Sequence, residues 1–242
     1  MFKWLNRLLS SVSTSDPVAT EPWEGLRRQI EIGSQNDPLI GAKLGAKQVA
    51  FSVRNAMADG AGVHAESFLC ALAACAGYSC QASVRRRAIA AGIDETADFV
   101  RVECEDGRTY FFGDALNKPL AESQYSVWNL AAGAAQAAGC TDILDLEDVF
   151  RHVSDTVGTA EFGNPRLPPE HPVYRKPMEY VVDVWPQLLP MIVKFCPDPE
   201  HWPIVMSLAV HDMIIETSTV LDPCVSLTIV MESAIPMSKL DL

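Results

Sequence analysis

Residues 68–80 read Phe-Leu-Cys-Ala-Leu-Ala-Ala-Cys-Ala-Gly-Tyr-Ser-Cys, and Tyr78 and Ser79 are the only polar side chains between Phe68 and Cys80. A helix that is apolar on every side must be enclosed, so this run predicts a spine in the middle of a core. Its many alanines, with Gly77, would let neighbouring helices approach closely. The helix is expected to begin near His64 and to continue to Gly92, with Arg85, Arg86 and Arg87 suited to the negative end of its dipole. The run would cover about 20 Å as a helix, short of the roughly 30 Å of a bilayer core, so a membrane-spanning role is not expected.

Working outward, three Asp-Pro pairs (Asp37-Pro38, Asp198-Pro199 and Asp222-Pro223) each precede an apolar-periodic stretch. Aspartate can accept from the free N–H groups of a first turn, and proline next to it loses no useful donor, so each pair predicts a helix start. Further helices are expected from Asp37 to a stop at Asp59-Gly60, over residues 125–139, and from about Asp142 to Gly158. The last 65 residues return to helix, with Pro186 and Pro190 kinking or splitting the first of them.

Residues 99–113 carry the clear β signal: Asp106-Gly107 predicts a two-residue hairpin turn with Glu105 opposite Arg108 and Cys104 opposite Thr109. That register puts Val100, Val102, Cys104 and Phe111 on one face, intended for burial, and Arg101, Glu103, Tyr110 and Phe112 on the other. A lone hairpin is marginal, so it must pack on helices or extend a sheet, a second copy of the chain being one source of the neighbour. Residues 161–177 hold five of the 16 prolines and read as a surface connection. The fold class is therefore mainly α (α+β), a compact multi-helix domain around a buried central helix with one small β-hairpin at about 99–113. The domain organisation expected is a flexible amphipathic tail over 1–20 and a single helical domain over 21–242. Lobes 21–160 and 177–242, joined by the proline-rich connection, are the alternative.

The chain has 242 residues, 48% apolar and 21% charged, the balance of a globular protein. Its formal charge of −12 is the wrong sign for a nucleic-acid binder, whose affinity begins with phosphate neutralisation. The seven cysteines are odd in number and contain no C-x-x-C pair, so neither a disulfide framework nor a zinc knuckle is expected, and a reducing, cytoplasmic setting is the simpler reading. The first fifteen residues carry Lys3 and Arg7 and no acid, with Phe2, Leu5 and Leu9 on one helical face. They read as a tail that could dock a partner, too short and broken for a secretory segment.

Three polar clusters are candidate sites. Gly60-x-Gly62-x-x-Ala65 matches a loose dinucleotide fingerprint, but the preceding segment reads as helix rather than the strand that chemistry needs, leaving a helix–helix turn. His64 and Glu66, with Ser67, gather at the start of the central helix, either as a catalytic acid–base pair or as first-turn caps. His211, Asp212 and Glu216 share the helix that follows Asp198-Pro199, His211 in the middle of its apolar face, and Glu232 is a fourth acid expected to be partly buried. Such inward groups could form a metal site, although the Glu-x-x-His spacing of di-iron bundles is absent and a core histidine satisfied by a carbonyl or carboxylate is the plainer reading. Asp148, His152 and Asp155 read as a solvated helix face, and His171 and His201 carry no signal.

No G-x-S-x-G elbow, P-loop or H-E-x-x-H pair occurs, so no cofactor is expected and the chain does not read as an enzyme. The function expected is an acidic, non-catalytic, cytoplasmic protein that works by binding. It would assemble as a homodimer, or dock a protein partner through its N-terminal tail or hairpin edge, with no nucleic acid or membrane involved. The alternative is an enzyme or a small-ligand or metal binder, with its site at the central-helix N-terminus or between the C-terminal helices.

Overall fold

The computed structural model describes residues 20–105 and 107–242, and the expected N-terminal tail falls largely outside the described residues. The helices are α1 (Thr20–Gly33), α2 (Ile40–Met57), α3 (Ala65–Ala90), α4 (Val127–Ala137), α5 (Leu146–Thr156), α6 (Pro177–Phe195), α7 (Trp202–Thr217) and α8 (Pro223–Met237). Among the described residues one two-stranded antiparallel sheet, β1 (Val100–Glu103) and β2 (Thr109–Phe112), lies between α3 and α4, followed by short helical turns over 114–122. The protein is mainly α, built around a central helix, with one small hairpin.

That central helix is α3. Every residue from Ser67 to Cys80 except Tyr78 is buried, and α8, α7 and α6 wrap it. By length and composition alone α3 could cross a membrane, but here its apolar surface is covered by protein. Gly77 is the point of closest approach: a Cβ built on it would sit 1.9 Å from the carbonyl oxygen of Ala234 in α8. The two backbones therefore touch, and only glycine permits it. Beside this contact Ser233 Oγ donates to Cys70 Sγ at 3.4 Å. One turn further along α3 the buried Gln81 amide donates to the carbonyls of Ser238 and Leu240 at 3.2 and 3.3 Å.

The caps follow from the local sequence. Asp145, Asp198 and Asp222 each accept from backbone N–H groups one or two residues into their helical segments, and Ser126 does so for α4. Asp37 accepts from Leu39 N–H, just ahead of α2. Gly92, Gly139 and Gly158 follow α3, α4 and α5 with φ of +71°, +107° and +76°, the left-handed conformation that ends a helix. Neither Pro186 nor Pro190 splits α6. They stand four residues apart on its exposed face, in line with Val182, so the carbonyls they leave without a donor point to the outside of the molecule.

The hairpin differs from its expected register. Cys104 N–H donates to Arg108 C=O at 3.0 Å and Glu103 pairs with Thr109, one residue away from the predicted alignment. The loop is three residues long, 105–107, with Gly107 at φ +79°, and the added residue shifts the strands by one. A slip of one moves side chains to the opposite face, so Val100 and Val102 share their face with Tyr110 and Phe112, not with Phe111. Instead of one buried face, the sheet has one buried strand: Tyr110 and Phe111 are both buried and β1 is exposed throughout. The far edge of β2 is covered by residues 239–241, with Phe111 N–H donating to Lys239 C=O at 2.7 Å and Asp241 N–H to Thr109 C=O at 3.1 Å.

Cys140 and Cys224 form a disulfide, contrary to the expectation that the cysteines stay unpaired. Cys140 follows α4 and Cys224 opens α8; 84 residues separate them, so no sequence spacing announces the pair. The argument for a reducing compartment loses its premise. A loop of this length corresponds to about 4.6 kcal/mol of unfolded-state entropy removed.

Gly77→Ala is expected to lower stability in urea denaturation by about 3 kcal/mol or more, because α3 and α8 must part to admit the methyl group. Gly133→Ala on the open face of α4, where a Cβ meets nothing within 4 Å, should raise it by up to about 1 kcal/mol. Equal effects at the two glycines would refute the backbone contact.

Candidate functional site

The N-terminal end of α3 collects the densest polar cluster. His64 is itself the cap: its Nδ1 accepts from Ser67 N–H at 3.3 Å and lies 3.0 Å from Ser67 Oγ. With Nδ1 accepting, the ring proton sits on Nε2, which faces Glu66 Oε2 at 3.3 Å. The other carboxylate oxygen, Oε1, is 3.1 Å from His171 Nδ1. Tyr174 completes the group by stacking on the His64 ring, centroids 4.0 Å apart, while its backbone N–H donates to Ser67 Oγ at 3.0 Å. Burial would push the Glu66 carboxyl up, but the His171 hydrogen bond, its own backbone N–H and the two imidazoles hold it below the usual carboxylate value.

Ser67, His64 and Glu66 thus have the connectivity of a nucleophile, a base and an orienting acid. Ser67, however, is only 1% exposed and its oxygen is already engaged by Tyr174. No acyl group can reach it, and the cluster instead fastens the proline-rich connection across the start of α3. Farther back in that connection Arg166 reaches the buried carboxylate of Glu232 at 2.6 Å and Asp148 at 2.8 Å. His171 and Tyr174 are the residues that sequence reasoning missed, and they lie more than a hundred residues from their partners, beyond any local pattern.

The four proposed metal ligands do not converge. His211 is not in the core: with Ile204, Leu208 and Ile215 it forms the outermost stripe of α7, half-buried to exposed, and its Nδ1 is 3.0 Å from Asp212. Helix α7 is apolar nearly all round, so apolar neighbours did not identify its inward face. Glu216 pairs with Arg54, and Glu232 with Arg166. Among the described residues no group of three or more His, Cys, Asp or Glu is arranged to hold a metal ion. Gly60 and Gly62 belong to a turn closed by an Asp59–Gly62 bridge, with helix α2 and not a strand before it. Burial pushes the thiols of Cys70, Cys80 and Cys196 up to about 12, which keeps them protonated and unreactive.

Lys239 is a third residue that the sequence did not flag. It is 2% exposed, its Nζ 3.2 Å from Asn117 Oδ1 and 5.6 Å from the ring centres of both Phe112 and Phe150. Burial pushes its amine down to about 8.

Comparison with protein-family models, curated proteins and solved structures gave no match, so these sites are read from their own geometry.

Two measurements check the electrostatics. A carboxylate held below its ordinary value of 4.5 stabilises the fold above that pH and stops doing so as the pH falls through its folded value. Glu66→Gln should therefore cost about 1–2 kcal/mol near neutrality, flatten the acid limb of the stability curve and speed deuterium exchange at Tyr174 N–H. An unchanged acid limb would remove Glu66 from the account. For Lys239 the sign is opposite: a folded value near 8 against an ordinary 10.5 means that the unfolded chain binds the extra proton, so stability rises with pH between the two. Lys239→Met should abolish that rise and stabilise the protein at neutral pH by about 1–3 kcal/mol. A rise persisting in the variant would place its origin elsewhere.

Proposed function

We propose that this chain is a binding and assembly protein, not a catalyst, and that it pairs with a second copy of itself along the outer edge of β1. The supporting observation is that this edge is self-complementary. Cys104 N–H donates to Arg108 C=O, so by alternation Val102 and Val100 also turn their backbone groups toward β2, and Arg101 and Glu103 turn theirs outward. The same alternation on β2 sends Thr109 and Phe111 to residues 239–241, as their hydrogen bonds require.

An antiparallel second copy centred on Val102 would set Arg101 opposite Glu103 of the other chain, and Glu103 opposite its Arg101. The two residues with outward N–H and C=O groups then pair with each other across a two-fold axis. The Arg101–Glu103 ion pair, 2.7 Å within one strand and largely exposed, is replaced by two cross-strand pairs of the same charges. Val100, 62% exposed, and Val102 gain apolar neighbours. The edge is short, so the interface is small and a dissociation constant of about micromolar order is expected.

Analytical ultracentrifugation over a concentration series tests this reading. The native chain should reach dimer at high micromolar concentration, Arg101→Glu should be monomeric because it brings four acids together, and Arg101→Glu with Glu103→Arg should dimerise again. A native chain that stays monomeric, or an Arg101→Glu variant that still dimerises, refutes it.

A further inference from the structure

A cavity of about 290 Å³ lies between the C-terminal part of α3, the turn over 118–125 and the start of α7. Val84, Pro203 and Ile204 give it an apolar wall, and Arg87 and Lys118 enter it from two different elements. Among the described residues neither cation has a carboxylate within ion-pair distance, although acids outnumber bases in the chain and Arg54, Arg85, Arg166 and Arg175 are all paired. Ser83 supplies an independent sign. It is 4% exposed and lines the cavity, yet its hydroxyl makes no hydrogen bond within the described residues, whereas Ser79 one turn earlier donates to Ala76 C=O at 2.6 Å. Its oxygen is not among the fully enclosed side-chain atoms, so what exposure Ser83 keeps includes its hydroxyl, which is available to hydrogen-bond to a molecule in the cavity.

We infer that this cavity is a binding site for a small organic monocarboxylate. The carboxylate accepts charge-assisted hydrogen bonds from Arg87 and Lys118 and one from Ser83, while a short apolar body lies on Val84, Pro203 and Ile204. The volume falls just below that of pockets for drug-sized ligands, which restricts the acid to a small one. Glu200 also lines the cavity and has no ion-pair partner among the described residues, so a second negative charge on the ligand meets repulsion. That combination distinguishes monocarboxylates from dicarboxylates and from neutral molecules of the same shape. The site is separate from the β1 edge and does not depend on dimerisation.

The test is an amide-resolved NMR titration of the full chain with benzoate, its neutral counterpart benzamide, and the dianion phthalate. Benzoate should shift the Ser83, Arg87 and Tyr125 amides saturably at millimolar concentration, with benzamide and phthalate each about tenfold weaker. Arg87→Gln with Lys118→Gln should abolish benzoate binding while the rest of the spectrum reports an intact fold, and Glu200→Gln should restore phthalate to the strength of benzoate. Absence of saturable shifts at those amides overturns the inference, as does benzamide binding as well as benzoate, or benzoate binding that survives the double substitution. If the double variant fails to fold, Ser83→Ala serves in its place, and unchanged benzoate affinity there counts against the site. A monomeric chain that binds benzoate would refute the dimer and leave this inference standing, and the converse result would do the reverse.

Discussion

The contact of Gly77 with the Ala234 carbonyl sets the distance between α3 and α8, and much of the molecule is arranged around it. With the two backbones touching, small side chains suffice to fill the space on either side, which is why the middle of α3, Ser67 to Cys80, can be rich in alanine, serine and cysteine and still be enclosed. The same proximity carries the end of α8 past Gln81, whose amide holds Ser238 and Leu240. Residues 239–241 then run beside β2, joined to it by the Tyr110–Leu240 bridge. The hairpin, too small to stand alone, is thus attached to the spine through the segment that follows α8.

Polar groups secure the periphery in the same economical way. The proline-rich connection cannot form a regular ladder, so side chains hold it at two places: Arg166 on Glu232 and Asp148, and His171 and Tyr174 on Glu66 and Ser67. Glu66 and Glu232, candidate site residues by sequence, are both held in these contacts. Lys239 is the exception, an amine held against two aromatic rings and one amide oxygen with its proton affinity lowered by burial.

The spine, the helix starts at the aspartates and the existence of a hairpin were legible in the sequence because each depends on a few adjacent residues: an unbroken apolar run, a cap, a turn glycine. What was not legible depends on distant partners or on a single added residue. The hairpin register turned on whether its loop holds two residues or three, and Asp-Gly suits either. The stripe of α7 that carries His211 is apolar and so suggests an inward face, yet the opposite side of α7 is more apolar still and faces α3 and α4. Arg87, Lys118 and Ser83 read as ordinary residues near a helix end until the turn over 118–125 brings them to one cavity. The Cys140–Cys224 pair and the His171–Glu66 contact join segments far apart in the chain and left no local trace.

The disulfide has one further consequence. Its two cysteines flank the proline-rich connection, the most irregular stretch between them, where a protease would find extended backbone. A single cut there yields two fragments that stay covalently joined, each still carrying helices packed on α3. The cleaved molecule would keep its mass on a non-reducing gel and come apart only once a thiol reagent is added, so nicked and whole protein look alike unless the sulfur bridge is opened first.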